Sequence, residues 1–316
     1  MKKLSYKDIS KAAGVSISTI SRYYNKGYVS KNTKKKIEEA VKAYDYYPNH
    51  GARLIRGRDN SIFIIVPEWY ENAYTAIMNG IEEEAKKHKK RVFITHSEDN
   101  AEYYIETIKY VLAWKPSAIV FFLPKENTKK VIDFIDEHLD DTVGLIYGSD
   151  AQNVSSVDID YEEAFYNVTK KLFEHIDEGE KIVYAEDEKL SLEQRKSRVS
   201  GFIKACEELK IPYLIQTYNN RSQKDVQKFQ TFLRHKNLVN VVSSTHEIFI
   251  NMISSGDKNV RLTDIGFKSI YDTQKKYTAK IYINYSAIGN EMEEILNVAA
   301  TTNKKIKRTF KTTIIE

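Results

Sequence analysis

Between residues 60 and 283 one pattern repeats, and it leaves the chain few choices of fold. Short apolar runs at Ile62–Val66, Val92–Thr95, Ile119–Leu123 and Val143–Tyr147 alternate with stretches of helical periodicity. A second series follows at Ile182–Ala185, Tyr213–Thr217, Val239–Ser243, Leu262–Gly266 and Ile281–Ile283. The runs recur about every 25 to 30 residues, the length of a strand with its crossover helix. Two series predict two parallel sheets, and hence two α/β subdomains. The longest runs, Ile62–Val66 and Ala118–Leu123, read as buried strands. A bilayer span needs about 20 apolar residues, so neither crosses a membrane.

The first 58 residues have a different character. They hold fourteen Lys/Arg against four Asp/Glu, a net of +10, while the remainder holds 35 basic and 40 acidic residues. A basic head on a mildly acidic body points to a polyanion partner for the head. Ser5 precedes Ile9, Ala12 and Ala13 at helical spacing, and with Asp8 three residues on it makes a capping-box signature. Gly14 is placed to end that helix in the left-handed region. Ser16 is placed to cap a second helix running to about Tyr24, with Val15 and Ile20 facing inward. Asn25-Lys26-Gly27 stops it. Ser30 caps a third helix, whose apolar stripe is Ile37, Ala40, Val41 and Tyr44. Helix, short glycine turn, helix is the helix-turn-helix pattern.

In such a unit the second helix enters the DNA major groove with its N-terminal side chains at the base edges. The stretch GVSISTISRYYN is short and hydroxyl-rich, as that position requires. Ile17 can meet a thymine methyl, Ser18 can serve a donor or an acceptor, and Arg22 can bind guanine through two hydrogen bonds. The hydroxyls of Ser16, Thr19 and Ser21 and the amide of Asn25 suit phosphate oxygens. Beyond Pro48, a marginal helix from Asn49 through Ile55 carries Arg53, Arg56 and Arg58 around Leu54. A leucine among arginines suits a minor-groove wedge.

These residues resemble the DNA-binding headpiece and hinge of the lactose-repressor (LacI/GalR) family of bacterial transcription regulators. The runs that carry the resemblance are SYKDISKAAGVSISTISRYYN, VSKNTKKKIEEAVKAYDYYPN and ARLIRG, at the family's spacings. IIVPEWYENAYTAIMNGIEEEAKKH and RVSGFIKAC resemble segments of its effector core. The likeness is strong over residues 1–57 and looser afterwards, and the NKGYVS loop looks one residue shorter than in the lactose repressor. The resemblance implies a homodimer on a pseudo-palindromic, double-stranded operator, with Ile17, Ser18 and Arg22 reading bases. Leu54 would be the intercalating hinge residue, flanked by Arg53 and Arg56. Ser5, Ser16, Thr19, Ser21, Asn25, Ser30 and Thr33 would meet the DNA backbone.

The expected architecture is an all-α headpiece (1–48), a hinge helix and linker (49–59), and a periplasmic-binding-protein-like α/β core. Its N-subdomain would be residues 60–157 with 284–303, and its C-subdomain residues 158–283 with 304–316. The chain would cross between them near Val157, Asn284 and Asn303. KRTFKTTIIE would form one C-terminal strand, with no leucine heptad after it for tetramerisation.

A ligand in this fold sits between the subdomains, at the carboxyl ends of strands. Matching segments nominate Tyr74 as a stacking aromatic, Asp160, and Arg198 as a clamp. Two departures bear on the ligand. The family's GF-D-[DN] reads Gly266-Phe267-Lys268-Ser269, and its ND-x-x-A reads Thr245-His246-Glu247-Ile248-Phe249. Both remove hydroxyl-binding groups, which weakens a neutral-sugar reading. Lys268 with Arg198 would suit an anionic ligand such as a sugar phosphate, and His246 is a further candidate effector-binding residue. A neutral sugar, or a degenerate pocket under the control of a protein partner or of nothing, stays open. So does a nonspecific architectural DNA-binding role.

Catalysis is not expected. The chain has no GxGxxG, P-loop or HExxH, and its seven histidines are scattered. Neither a metal nor a cofactor is expected. The lone cysteine, Cys206, lies in the amphipathic run GFIKACEELK and reads as a core-facing filler. One cysteine and an opening MKKLSYKDIS without an apolar segment fit a cytoplasmic protein.

Overall fold

A computed structural model describes residues 5–24, 27–44, 46, 60–68, 72–139, 142–254, 260–274 and 276–316. The chain divides into two compact units, residues 1–59 and 60–316.

The first unit holds α1 (Tyr6–Ala13), α2 (Ile17–Tyr24) and α3 (Lys31–Ala43). Each helix starts where a side chain satisfies an orphan amide. The Ser5 amide donates to Asp8 Oδ2 at 2.8 Å, the Thr19 amide to Ser16 Oγ at 3.1 Å, and the Thr33 amide to Ser30 Oγ at 3.3 Å. Gly14 ends α1 at φ 64°, in the left-handed region that favours glycine. Ser10 Oγ donates to the Val15 carbonyl and holds the turn. Ile9, Ala13, Ile20, Ile37, Ala40 and Tyr46 form the core. Tyr44, expected in the apolar stripe of α3, is exposed. It is the C-cap, at φ −102° and ψ 4°, so it has left the helical register, and Tyr46 is the buried tyrosine.

Among the described residues, the second unit contains two six-stranded sheets. The first has the order β11-β5-β4-β3-β1-β2, all parallel. Its strands are β1 (Ser61–Pro67), β2 (Arg91–Ser97), β3 (Ala118–Phe122), β4 (Val143–Tyr147), β5 (Ser155–Ile159) and β11 (Lys307–Phe310). The helices α4 (Asn72–Lys87), α5 (Ala101–Ala113), α6 (Thr128–His138) and α12 (Tyr285–Thr302) cover it. The second sheet has the order β12-β10-β9-β8-β6-β7. It comprises β6 (Ile182–Asp187), β7 (Tyr213–Tyr218), β8 (Asn240–Ser243), β9 (Arg261–Gly266), β10 (Ala279–Tyr282) and β12 (Thr313–Ile315). Only β12 is antiparallel to its neighbour. Its helices are α7 (Tyr161–Phe173), α8 (Leu192–Leu209), α9 (Gln223–His235), α10 (His246–Ser254) and the short α11 (Ile270–Thr273). Central strands such as β3 are buried along their whole length, as helices on both faces demand. Cys206 is buried, and burial pushes its thiol up to about 12.

The crossings correct two expectations. β5 belongs entirely to the first sheet, pairing with β4 and β11, so the first crossing follows Ile159 and not Val157. The C-terminal run is two strands, not one. β11 pairs with β5 (Lys307↔Ser156), and β12 pairs with β10 (Lys280↔Ile315). The third crossing therefore falls at Lys311-Thr312, past Asn303. Asn303 is the left-handed C-cap of α12 (φ 54°), and it turns the chain back along the first sheet before it leaves.

In each sheet the strand order reverses beside the first strand of the series, between β1 and β3 and between β6 and β8. Crevices open at such switch points, at the carboxyl ends of the strands.

Candidate nucleic-acid interface and ligand cleft

The inner face of α2 is fixed by packing. Ile20 is fully buried, and Tyr24 stacks on Tyr6 at 5.5 Å and meets Tyr46 at 6.5 Å. Tyr23 Oη donates to Glu38 of α3 at 3.4 Å. The outer face carries Ile17, Ser18 and Arg22, all exposed; Ile17, a residue that normally buries, is 47% exposed. Ser16 Oγ lies 2.7 Å from Ser18 Oγ and 2.8 Å from Thr19 Oγ1, so one cap orders three hydroxyls at the helix start. Gly27 lies against the Arg22 stem, where an added Cβ would come within 2.5 Å of Arg22 Cγ. Smallness at position 27 thus gives Arg22 its path.

Of the expected backbone contacts, Ser5, Ser16 and Ser30 are exposed and Thr19 and Thr33 half-buried, whereas Ser21 is buried on the inner face. Asn25 and the hinge residues Arg53, Leu54 and Arg56 lie outside the described residues. Tyr28 was not singled out from the sequence. It is 88% exposed between α2 and α3, and its signal was an aromatic in a glycine-led loop.

In the core, a cavity of about 230 Å³ opens at the carboxyl ends of the strands. Its walls come from the first turns of α4 (Ala73), α10 (His246, Glu247) and α12 (Tyr285), and from Ile265, Gly266, Phe267 and Ser269 after β9. His246 Nδ1 lies 2.7 Å from Asp264 Oδ1. Asp264 Oδ2 lies 3.0 Å from Nζ of Lys280, which is fully buried and also reaches Asp272 at 3.1 Å. Burial pushes the Asp272 carboxyl up. Bonds from the Ser269 amide, Tyr277 and Lys280, with the Lys280 charge, outweigh this and hold it at about 2. Beside these residues, burial raises the Asp187 carboxyl; Glu247 adds like charge, against the Lys189 amide, Arg198 and Asn220.

The five nominated cleft residues divide. His246 lines the cavity. Arg198 is fully buried behind it, donating to the Ser244 carbonyl at 2.7 Å, with its guanidinium 4.3 Å from the Tyr161 ring centroid. Tyr74 is only 8% exposed and packs on Phe122 at 4.5 Å and Tyr147 at 5.5 Å. Asp160 caps α7 by accepting from the Glu163 amide at 3.0 Å, and it borders a separate, more open depression with Tyr166, Lys204 and Lys311. Lys268 is exposed, between two residues that line the cavity. Sequence reading missed the chain His246–Asp264–Lys280–Asp272. A lysine inside the strand AKIY reads as an outward face, and only the pairing of β10 with β9, which sets Lys280 beside Asp264, reveals its partner.

Comparison with known proteins bears on both units. Residues 5–49 match the model of bacterial regulatory proteins, lacI family, and residues 59–242 match that of periplasmic binding proteins and the sugar binding domain of the LacI family. The chain is 23% identical over 290 residues to a probable HTH-type transcriptional regulator, EndR, of Paenibacillus polymyxa, spanning 84% of this chain and 82% of that protein. It is 30% identical over 170 residues to catabolite control protein A of Staphylococcus aureus, spanning 53% of this chain and 51% of that protein. Its fold superposes on the Lac repressor bound to ONPG with a TM-score of 0.81 and 17% identity, over 100% of this chain and 99% of that one. Among the described residues, no helix is long and apolar enough to cross a membrane. The second match alone spans more than half of the sequence, and the chain belongs to the lacI family of bacterial transcriptional regulators.

Proposed function

We propose that the chain is a homodimeric repressor of metabolic genes that reads a palindromic operator through α2 and answers to a small ligand in the core cleft. The observation that carries this reading is the face of α2. An exposed isoleucine, serine and arginine stand on a helix whose other side is locked into a three-helix core. A helix kept polar and slim outside, with an apolar residue unburied, suits base-edge contact better than solvent. The hinge helix, with Leu54 as its wedge and Arg53 and Arg56 beside it, would order on the operator.

Dimerisation is supported by the edge strands. β2 exposes Phe93 and Ile94, and β7, at the matching edge of the second sheet, exposes Leu214 and Ile215. Such edges invite pairing with a second copy. The cavity walls favour an uncharged, hydroxylated metabolite. They are largely apolar and aromatic, with His246, Glu247 and Ser269 as the polar groups, and Lys268 is not among them. A phosphate would face Glu247 without that lysine.

The test is a set of duplexes carrying single base-pair changes in a bound site. Arg22→Ala is expected to lose about 1–3 kcal/mol at one symmetric pair of positions and to relax preference there. Lys34→Ala is expected to weaken binding equally on every sequence and to lower the salt dependence. Uniform loss for Arg22→Ala would contradict base reading.

A further inference from the structure

Several hydrogen bonds join the subdomains across the cleft, among them one between the Tyr147 and Tyr161 hydroxyls at 3.5 Å. Gln194 Nε2, in the first turn of α8, donates to Tyr74 Oη, in the first turn of α4, at 2.9 Å. Lys125 Nζ, just after β3, donates to the Glu188 carbonyl, just after β6, at 2.8 Å. Gln194 is held for this task, because its Oε1 accepts from the Ser191 amide at 3.0 Å and caps α8. One side chain thus starts a helix of the second subdomain and grips the first. Tyr74 is held equally firmly, with its ring against Phe122 and Tyr147.

We infer that Tyr74 and Gln194 form a cross-cleft strut that sets the closure of the core, and that Tyr74 is a positioning residue and not a stacking platform for the ligand. Ala73, next to Tyr74 on the same helical turn, lines the cavity. A ligand seated against Ala73 acts on the helix start that the strut holds. Strut and ligand therefore bias one two-state element, the condition for a ligand in the cleft to be felt elsewhere. The regulatory half of this inference rests on the proposed function; the strut does not.

Two exposed sites, Lys129→Cys on α6 and Lys224→Cys on α9, carry spin labels in the full-length chain, and the buried Cys206 stays unlabelled. Distances between the labels are measured by pulsed electron resonance. Tyr74→Phe keeps the ring packing and the α8 cap but removes the bond. It is expected to shift the closed-to-open ratio severalfold, as loss of one neutral hydrogen bond does, giving a longer and broader distribution. Adding Lys125→Met opens the core further. Gln194→Glu keeps the cap and reverses the other bond, the Tyr74 hydroxyl now donating to the carboxylate, and should match the unmodified protein. A Tyr74→Phe distribution superimposable on the unmodified one, or a Gln194→Glu core equally opened, overturns the strut. On the operator, Tyr74→Phe is expected to change Kd threefold or more and Gln194→Glu less than twofold. An opened core with unchanged Kd overturns the regulatory half. A protein that prefers no operator sinks the proposed function but leaves the distance measurement to decide the strut.

Discussion

At the scale of single residues, the chain uses charge in two ways. Arg22 is exposed, and among the described residues its stem lies against Gly27, which leaves its guanidinium to a partner. Lys280 is buried and consumed by Asp264 and Asp272. Asp272 makes this measurable. Its folded pKa of about 2 lies below the ordinary carboxylate value of about 4. A depressed carboxylate contributes stability that is fully present above the ordinary value and lost as pH falls through the folded one. Urea midpoints of the protein should therefore drop between pH 4 and 2, and Asp272→Asn should flatten part of that drop. An unchanged slope in the variant would show that Asp272 is not so held. The sequence made Ser16, Ser30 and Gly14 legible because caps act within three residues. Lys268 is exposed between the cavity-lining Phe267 and Ser269, a placement that alignment to a ligand position does not give. His246 was legible as a departure from a pattern, but its partner Asp264 lies on another strand.

At the scale of elements, one of the tight junctions is between α4 and α12, where Gly80 and Gly289 bring two backbones together. A Cβ on Gly289 would sit 2.0 Å from the Ile77 carbonyl oxygen, which belongs to a rigid helix. Gly289→Ala should cost about 1–3 kcal/mol through overpacking. A thermal melt should show a clear fall in Tm; a fall under about 1 °C would mean that the helices separate freely. A neighbouring cluster pins the same pair, with buried Glu293 of α12 between Lys90 at 3.0 Å and His88 at 2.8 Å. Strand positions were legible from apolar runs, with one informative exception. β5, SSVDI, carries two serines and an aspartate, so it lacks the apolar signature, yet Ser155 and Ser156 are buried. Their hydroxyls are satisfied by the Ile306 amide and Asp150, partners that only the tertiary fold supplies. The break at Lys311-Thr312 was likewise invisible, because two short strands in sequence look like one.

At the scale of the whole molecule, the proposed symmetric reader of DNA needs two chains. Phe93 stacks on Phe63 at 5.1 Å and stays 42% exposed on the β2 edge. Phe93→Lys should leave each core folded, drive sedimentation toward the monomer, and weaken operator binding together with it. A dimer that survives the change would move the interface elsewhere. The basic head and the helix-turn-helix spacing made a DNA partner legible at once, since charge and caps are local. The proposed second copy and ligand were legible only through the resemblance, because the side chains that would meet them are the ones the fold leaves at an edge or in a cleft.

The most direct test of the central claim is selection of bound duplexes from a random pool by the full-length protein at about 150 mM salt. A symmetric reader with its two α2 helices in successive major grooves should enrich a palindrome, its half-site centres about 10 base pairs or a multiple apart. A flexible pyrimidine–purine step at the centre is expected for the Leu54 wedge. An unenriched pool, or a single half-site without its mirror image, would contradict a dimeric, base-reading repressor.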